Sequence, residues 1–99
     1  MKVIKKLPGE IATLIDIPNT LEALQAEVEG YIEAVPIYDD LVAIVNEEGL
    51  LNGMKFNVSV RGYHLFGPVL LVGVDGEEFT DVPESFRAIF KTVDSAQTE

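Results

Sequence analysis

The 99-residue chain contains no cysteine and no tryptophan, and it has one histidine and seven basic residues. Without thiols it forms no disulfide, offers no thiolate ligand or nucleophile, and is indifferent to the redox state of its compartment. A lone histidine, His64, would have to serve every nucleophile–base scheme and every imidazole metal site. Ser59 lies five residues from it in a strand-like run, and no local geometry is expected to bring Ser59 and an orienting acid to the ring. The longest apolar run, Pro68 to Val74, is far short of the roughly 20 residues that cross a bilayer. The basic start is broken by Lys5, Lys6, Pro8 and Glu10 before a secretory apolar segment forms. Gly62, Gly67, Gly73 and Gly76 make neither a phosphate loop nor a dinucleotide fingerprint. The expectations are therefore no catalytic activity, no metal, no cofactor and no membrane role, with the bacterial cytoplasm as default location.

Positive charge is scarce and unevenly placed. From Leu7 to Met54 there is no Lys or Arg against ten carboxylates, and the whole chain carries a net charge of −10. Such a chain repels nucleic-acid backbones and anionic lipid, so direct binding to either is not expected. The acidic doublets Asp39-Asp40, Glu47-Glu48 and Glu77-Glu78 fall in predicted turns. Adjacent side chains point apart, so these are not the paired carboxylates of a glycosidase or aspartic protease. Two readings of the acidity follow: a solvated surface that keeps a small protein soluble, or a mimic of the phosphate array of DNA.

What is present is enough for one core. An apolar fraction of 47% with five Phe and three Tyr gives a single small domain over 1–93, with Asp94 to Glu99 read as a disordered tail. Lys2 to Leu7 and Ile11 to Ile17 read as strands around the Pro8-Gly9 turn. Asn19 and Glu22 have the spacing of a helix cap, and a helix follows over about Leu21 to Glu29. In that helix Leu21, Leu24 and Val28 share a face, and Gly30 takes the left-handed terminal position. Tyr31 to Ile37 and Leu41 to Val45 form a hairpin at Tyr38-Asp39-Asp40. Phe56 to Val60 alternates, Pro68 to Val74 is the most buried strand, and Glu77 to Thr80 returns after Asp75-Gly76. Asp81 and Glu84 repeat the cap spacing ahead of a helix over Pro83 to Thr92, with Phe86, Ile89, Phe90 and Val93 on one face. The fold class is α+β, a mixed or mainly antiparallel sheet with two amphipathic helices packed on it. A chain of 10.9 kDa has little concave surface of its own, and ligand clefts usually need about 300 Å³ or more, so a homo-oligomer is expected.

The one stretch where cationic, aromatic and amide side chains converge is Lys55 to Phe66. A nucleotide site needs a ring to stack on the base, an amide to read its edge and a guanidinium to hold phosphate. Phe56, Tyr63 or Phe66 can stack, Asn46, Asn52 or Asn57 can pair with an edge, Arg61 supplies the fork, and the candidate ligand-binding set is Arg61, Tyr63, His64, Asn57, Asn46 and Phe56.

The order of short motifs also resembles a known family. Leu21-Glu22-Ala23-Leu24-Gln25 leads to Gly30-Tyr31-Ile32-Glu33, then Asn46-Glu47-Glu48-Gly49, an asparagine at 57, and Gly67-Pro68-Val69-Leu70-Leu71-Val72-Gly73 ending in Asp75-Gly76-Glu77-Glu78-Phe79. This is similar to DUF3846, short domains of unknown function carried by tailed phages, plasmids and other mobile elements. The likeness covers about Lys2 to Thr80. The family usually has a proline before the second asparagine where this chain has Phe56, so the local turn is expected to differ. The resemblance implies a phage-type origin, hence a bacterial host cell, and a counter-defence protein by analogy. The first expectation is sequestration, without cleavage, of a nucleotide immune signal of cyclic-nucleotide or ADP-ribose type. The alternative is an acidic DNA mimic that occupies a restriction or CRISPR protein through Asp39, Asp40, Glu47 and Glu48.

Overall fold

A computed structural model describes residues 1–89 and 93–94 of the chain. Its centre is a pair of antiparallel strands, β4 (Leu41–Asn46) and β7 (Val69–Asp75), in register from Leu41 opposite Gly73 to Val45 opposite Val69. Both read as unbroken apolar runs because both of their faces are covered. Val42, Ile44, Leu70 and Val72 enter one core, and Leu41, Ala43, Val45, Val69 and Leu71 enter another on the opposite side.

The sheet grows outward from this pair. β3 (Ile32–Tyr38) joins β4, and β1 (Lys2–Lys6) joins β7 and carries β2 (Thr13–Asp16) on its far side. β8 (Glu78–Thr80) pairs with the end of β7 beyond β1, and the short β9 (Val93–Asp94) runs parallel to β2. The sheet is thus mostly antiparallel. Pro36, which cannot donate a ladder hydrogen bond, falls in the edge strand β3 beside a register shift between Pro36 and Tyr38. At the other side the N-terminal amine donates to Asp16 Oδ1 at 3.0 Å, and this bond and its charge hold the Asp16 carboxyl below its ordinary range.

Helix α1 (Leu21–Val28) covers one face through Leu24 and Val28, each burial worth about 1.5–3 kcal/mol. Its ends differ from the sequence reading. Thr20 is the cap, its hydroxyl accepting from Ala23 N at 3.1 Å, while Asn19 donates to the Phe79 carbonyl. Glu29, not Gly30, adopts the left-handed conformation with φ 66°. Leu21, at the first turn, is 53% exposed instead of buried.

The other face is covered by the hairpin of β5 (Phe56–Val60) and β6 (Tyr63–Phe66), with Val58, Val60 and Leu65 turned inward, and by Val82 and Phe86. Residues 63–66, to which the sequence alone assigns no element, are a strand. The two-residue turn Arg61-Gly62 has φ 47° and 85°, the left-handed pair whose twist matches a tight hairpin. Phe86 lies on α2 (Glu84–Ile89) and packs against this core, so among the described residues one helix longer than six residues, α1, stands where two amphipathic helices were expected. Asp81 does not cap α2: its carboxylate accepts from Lys2 N at 2.8 Å, tying the start of α2 to β1. The remainder of the expected second helix, including Phe90, and residues 95–99 of the expected tail lie outside the described residues. No described helix is long and apolar enough to cross a membrane.

Gly73 marks the closest backbone approach. A Cβ there would sit 2.3 Å from the Asp81 carbonyl oxygen and 2.7 Å from Thr80 Oγ1. Gly73→Ala should therefore cost about 1–3 kcal/mol by overpacking and lower Tm by at least about 4 °C. An unchanged melting curve would mean that the segment after β8 moves freely off β7.

Candidate functional site

The residues singled out from sequence separate into three groups. Asn46 and Asn57 are buried structural side chains. Asn46 Nδ2 donates to the carbonyls of Val28 at 3.0 Å and Glu29 at 3.2 Å, and its Oδ1 accepts from Glu48 N at 2.8 Å. It thus satisfies the open carbonyls at the end of α1, which its own helix cannot do. Gly30 is required beside it, since a Cβ there would lie 2.7 Å from Asn46 Nδ2. Asn57 Nδ2 donates to Lys6 O at 2.8 Å and Gly67 O at 2.7 Å, pinning β5 to the end of β1, and leaves a buried Oδ1 without a partner. Neither amide is free to read a base.

Arg61 stands at the hairpin tip, its guanidinium 4.4 Å from the Tyr38 ring centroid, and Tyr38 stacks on Phe86 at 5.2 Å. Such a cation–ring contact at an exposed site is worth about 0.5–1 kcal/mol and leaves guanidinium N–H groups in water. Tyr63 lies beside the tip, half exposed.

Phe56 and His64 do come together, with ring centroids 6.4 Å apart, and Phe66 meets Phe56 edge-on at 5.6 Å. The hairpin also sets Ser59 opposite His64, with Oγ 2.6 Å from Nδ1, a pairing not expected from the sequence. The turn at Arg61-Gly62 produces it by folding the five-residue separation back on itself. Both side chains are exposed, and among the described residues no carboxylate is hydrogen-bonded to the ring. As it stands this is a surface hydrogen bond without the third, orienting group that activates a nucleophile.

Beneath the hairpin a groove of about 190 Å³ opens between β3, β4 and β6. Val35, Val45 and Leu65 form its apolar lining; Glu33, Glu47 and Leu50 stand with His64 and Phe66 around them. Register accounts for the pairing of acid and hydrocarbon, because Glu33 is opposite Val45 and shares its face of the sheet. The Glu47 N–H bonds to the Tyr31 carbonyl at 2.9 Å, extending the ladder one step past β4. Neither Glu33 nor Glu47 has an ion-pair partner among the described residues, whereas Lys5 holds Glu27 at 2.6 Å. No cluster able to hold a metal ion occurs among the described residues.

The loop over 47–54 frames the groove and is internally bonded: Asn52 N to Glu48 O at 2.8 Å, Gly53 N to Leu50 O at 3.2 Å, and Met54 N to Gly49 O at 2.9 Å. It holds Leu50 and Leu51 in water, 67% and 84% exposed. From sequence this loop has no element, so Leu50 and Leu51 were missed, and Glu33 entered only in a family motif. An apolar doublet between Gly49 and Asn52, in a segment with no strand or helix period, was the available signal.

The expected acidic decoy surface is divided. Asp39-Asp40 and Glu47-Glu48 flank opposite ends of β4, a separation of about 20 Å for six extended residues.

Asn46→Ala should destabilise the domain by about 3 kcal/mol, because two helix carbonyls and the Glu48 N–H lose a buried partner. Chemical denaturation measures it. A stability equal to wild type would free Asn46 for ligand recognition.

Two blocks that carry the family resemblance, Gly30 to Glu33 and Asn46 to Gly49, lie side by side along the β3–β4 ladder and build one side of the groove. No curated protein and no solved structure gives a significant match. A family model does, over residues 1–94, and the chain belongs to that family, described as Domain of unknown function (DUF3846).

Proposed function

We propose that this domain acts by binding without turnover, and that its partner is a basic surface on another protein, in the counter-defence setting suggested by the phage and mobile-element carriers of the family. The observation that supports this is the groove, where carboxylates with no cationic partner among the described residues stand over an apolar lining on a chain of net charge −10. Proteins that grip DNA, restriction and CRISPR proteins among them, offer such basic surfaces. Opposite charge speeds encounter, and desolvated contacts set residence time. The two acid pairs at the ends of β4 add to this reading, since about 20 Å along a rigid strand corresponds to roughly six phosphate steps of duplex DNA.

Nucleotide sequestration is the second reading, favoured by the Phe56, His64 and Phe66 rings with Arg61 and Tyr63 at the tip. It has lost both amides. The groove is smaller than the roughly 300 Å³ of a typical ligand site, and Glu33 and Glu47 would repel phosphate. A nucleotide would have to lie on the outer face of the hairpin or between two copies in a homo-oligomer.

Protection of phage or plasmid DNA in bacteria bearing a restriction or CRISPR system separates the two. Under the first reading, Asp39→Asn with Asp40→Asn, or Glu47→Gln with Glu48→Gln, lowers protection at least tenfold and Arg61→Ala leaves it intact. If instead Arg61→Ala abolishes protection, the acid variants do nothing and heat releases an intact nucleotide from the purified protein, the sequestration reading holds.

A further inference from the structure

We propose that the groove between β3, β4 and β6 is a socket for one arginine side chain, carried on a basic protein segment that rests its apolar neighbours on Leu50 and Leu51. This deepens the basic-partner reading and rests on it. Four features of the groove converge on that occupant. Its lining of Val35, Val45 and Leu65 suits a hydrocarbon stem. Its acids, Glu33 and Glu47, are diagonal neighbours across the β3–β4 ladder, with Cα atoms about 7–8 Å apart, a gap that a planar guanidinium can bridge. β6 borders the groove through His64, Leu65 and Phe66, so a side chain seated there is enclosed by three strands. Finally, a volume of about 190 Å³ suits one long side chain rather than a nucleotide.

Leu50 and Leu51 extend the site. They are exposed on a loop closed by its own backbone hydrogen bonds, so they are presented to solvent by a fixed framework. An arginine flanked by apolar residues would bury its stem and guanidinium in the groove while its neighbours cover this doublet. Charge complementarity selects this occupant over a second copy, because each copy carries −10. Phe56 packs edge-on against Phe66, which borders the groove.

The probe is a capped peptide, acetyl-Gly-Leu-Arg-Leu-Gly-amide, titrated into the 15N-labelled full chain in low salt, with the lysine and citrulline versions as controls. The proposal expects amide shifts concentrated on Val35, Val45, Glu47, Leu50 and Leu65, an affinity at least threefold better for arginine than lysine, and no saturable binding by citrulline. Glu33→Gln and Leu50→Ser, both at exposed positions, should each weaken arginine-peptide binding at least fivefold with unchanged circular dichroism and Tm. Equal affinity for the citrulline peptide would overturn the socket, as would shifts centred on Asp39-Asp40 that ignore both variants, although the second result would leave a basic partner standing. Groove shifts that grow with protein concentration alone would assign the face to a second copy. No binding by any cationic peptide, together with saturable nucleotide binding, would remove both the socket and the reading beneath it.

Discussion

The structure depends on one constraint: the β4–β7 pair must be covered on both faces. Its alternating side chains enter two separate cores, and no residue from Leu41 to Val45 or from Val69 to Val72 can face water without exposing apolar surface. Every other element answers that requirement. α1 closes one side, the β5–β6 hairpin with Val82 and Phe86 closes the other, and β1 with β8 shares the open edge of β7. A β-rich chain of 99 residues without cysteine thereby becomes a layered domain with an apolar core on each face of its sheet.

The groove is a consequence of how that cover is made. Leu65 and its inward neighbours on the hairpin seal the middle of the face, and beyond them β3 and β4 continue to Glu33 and Glu47 with no lid above. Asn46 governs this corner. By bonding the carbonyls of Val28 and Glu29 and the N–H of Glu48 it fixes helix end, strand end and loop as one unit. The left-handed Glu29, a strain of about 1–2 kcal/mol for a residue with a side chain, is held by the same contacts. Electrostatics then discriminate among ligands: two carboxylates with no ion-pair partner among the described residues, beside an apolar surface, favour a cation and disfavour phosphate, and the low polarity of the lining strengthens both effects.

Much of the fold was legible. Alternation placed most strands within a residue or two, and the family motifs identified the chain. What was not legible depended on distant partners. Thr20 and Asn19 are both good caps, and only the Phe79 carbonyl decides that Asn19 is used elsewhere. Asp81 reads as a cap by spacing but is drawn to Lys2. Arg61-Gly62 lacks the usual asparagine or aspartate of a left-handed turn, so the β6 strand and the Ser59–His64 contact went unseen. Above all, a buried amide that joins two segments and an exposed amide that reads a ligand have the same local sequence. Asn46 and Asn57 were assigned to the wrong one of these classes because Val28 and Lys6, their acceptors, lie 18 and 51 residues away.

The position of β1 has a consequence for synthesis. It pairs with β2 at once, but its other edge waits for Ile4 to meet Leu71. At about 5–20 residues per second, translation leaves that edge open for roughly three to thirteen seconds, and an unpaired edge invites strands from neighbouring chains. During this interval the emerged polypeptide includes the stretch from Leu7 to Met54, with ten carboxylates and no Lys or Arg. Growing chains on one messenger therefore repel each other while the second edge of β1 is still open, and the same acidity that shapes the finished surface protects the nascent one.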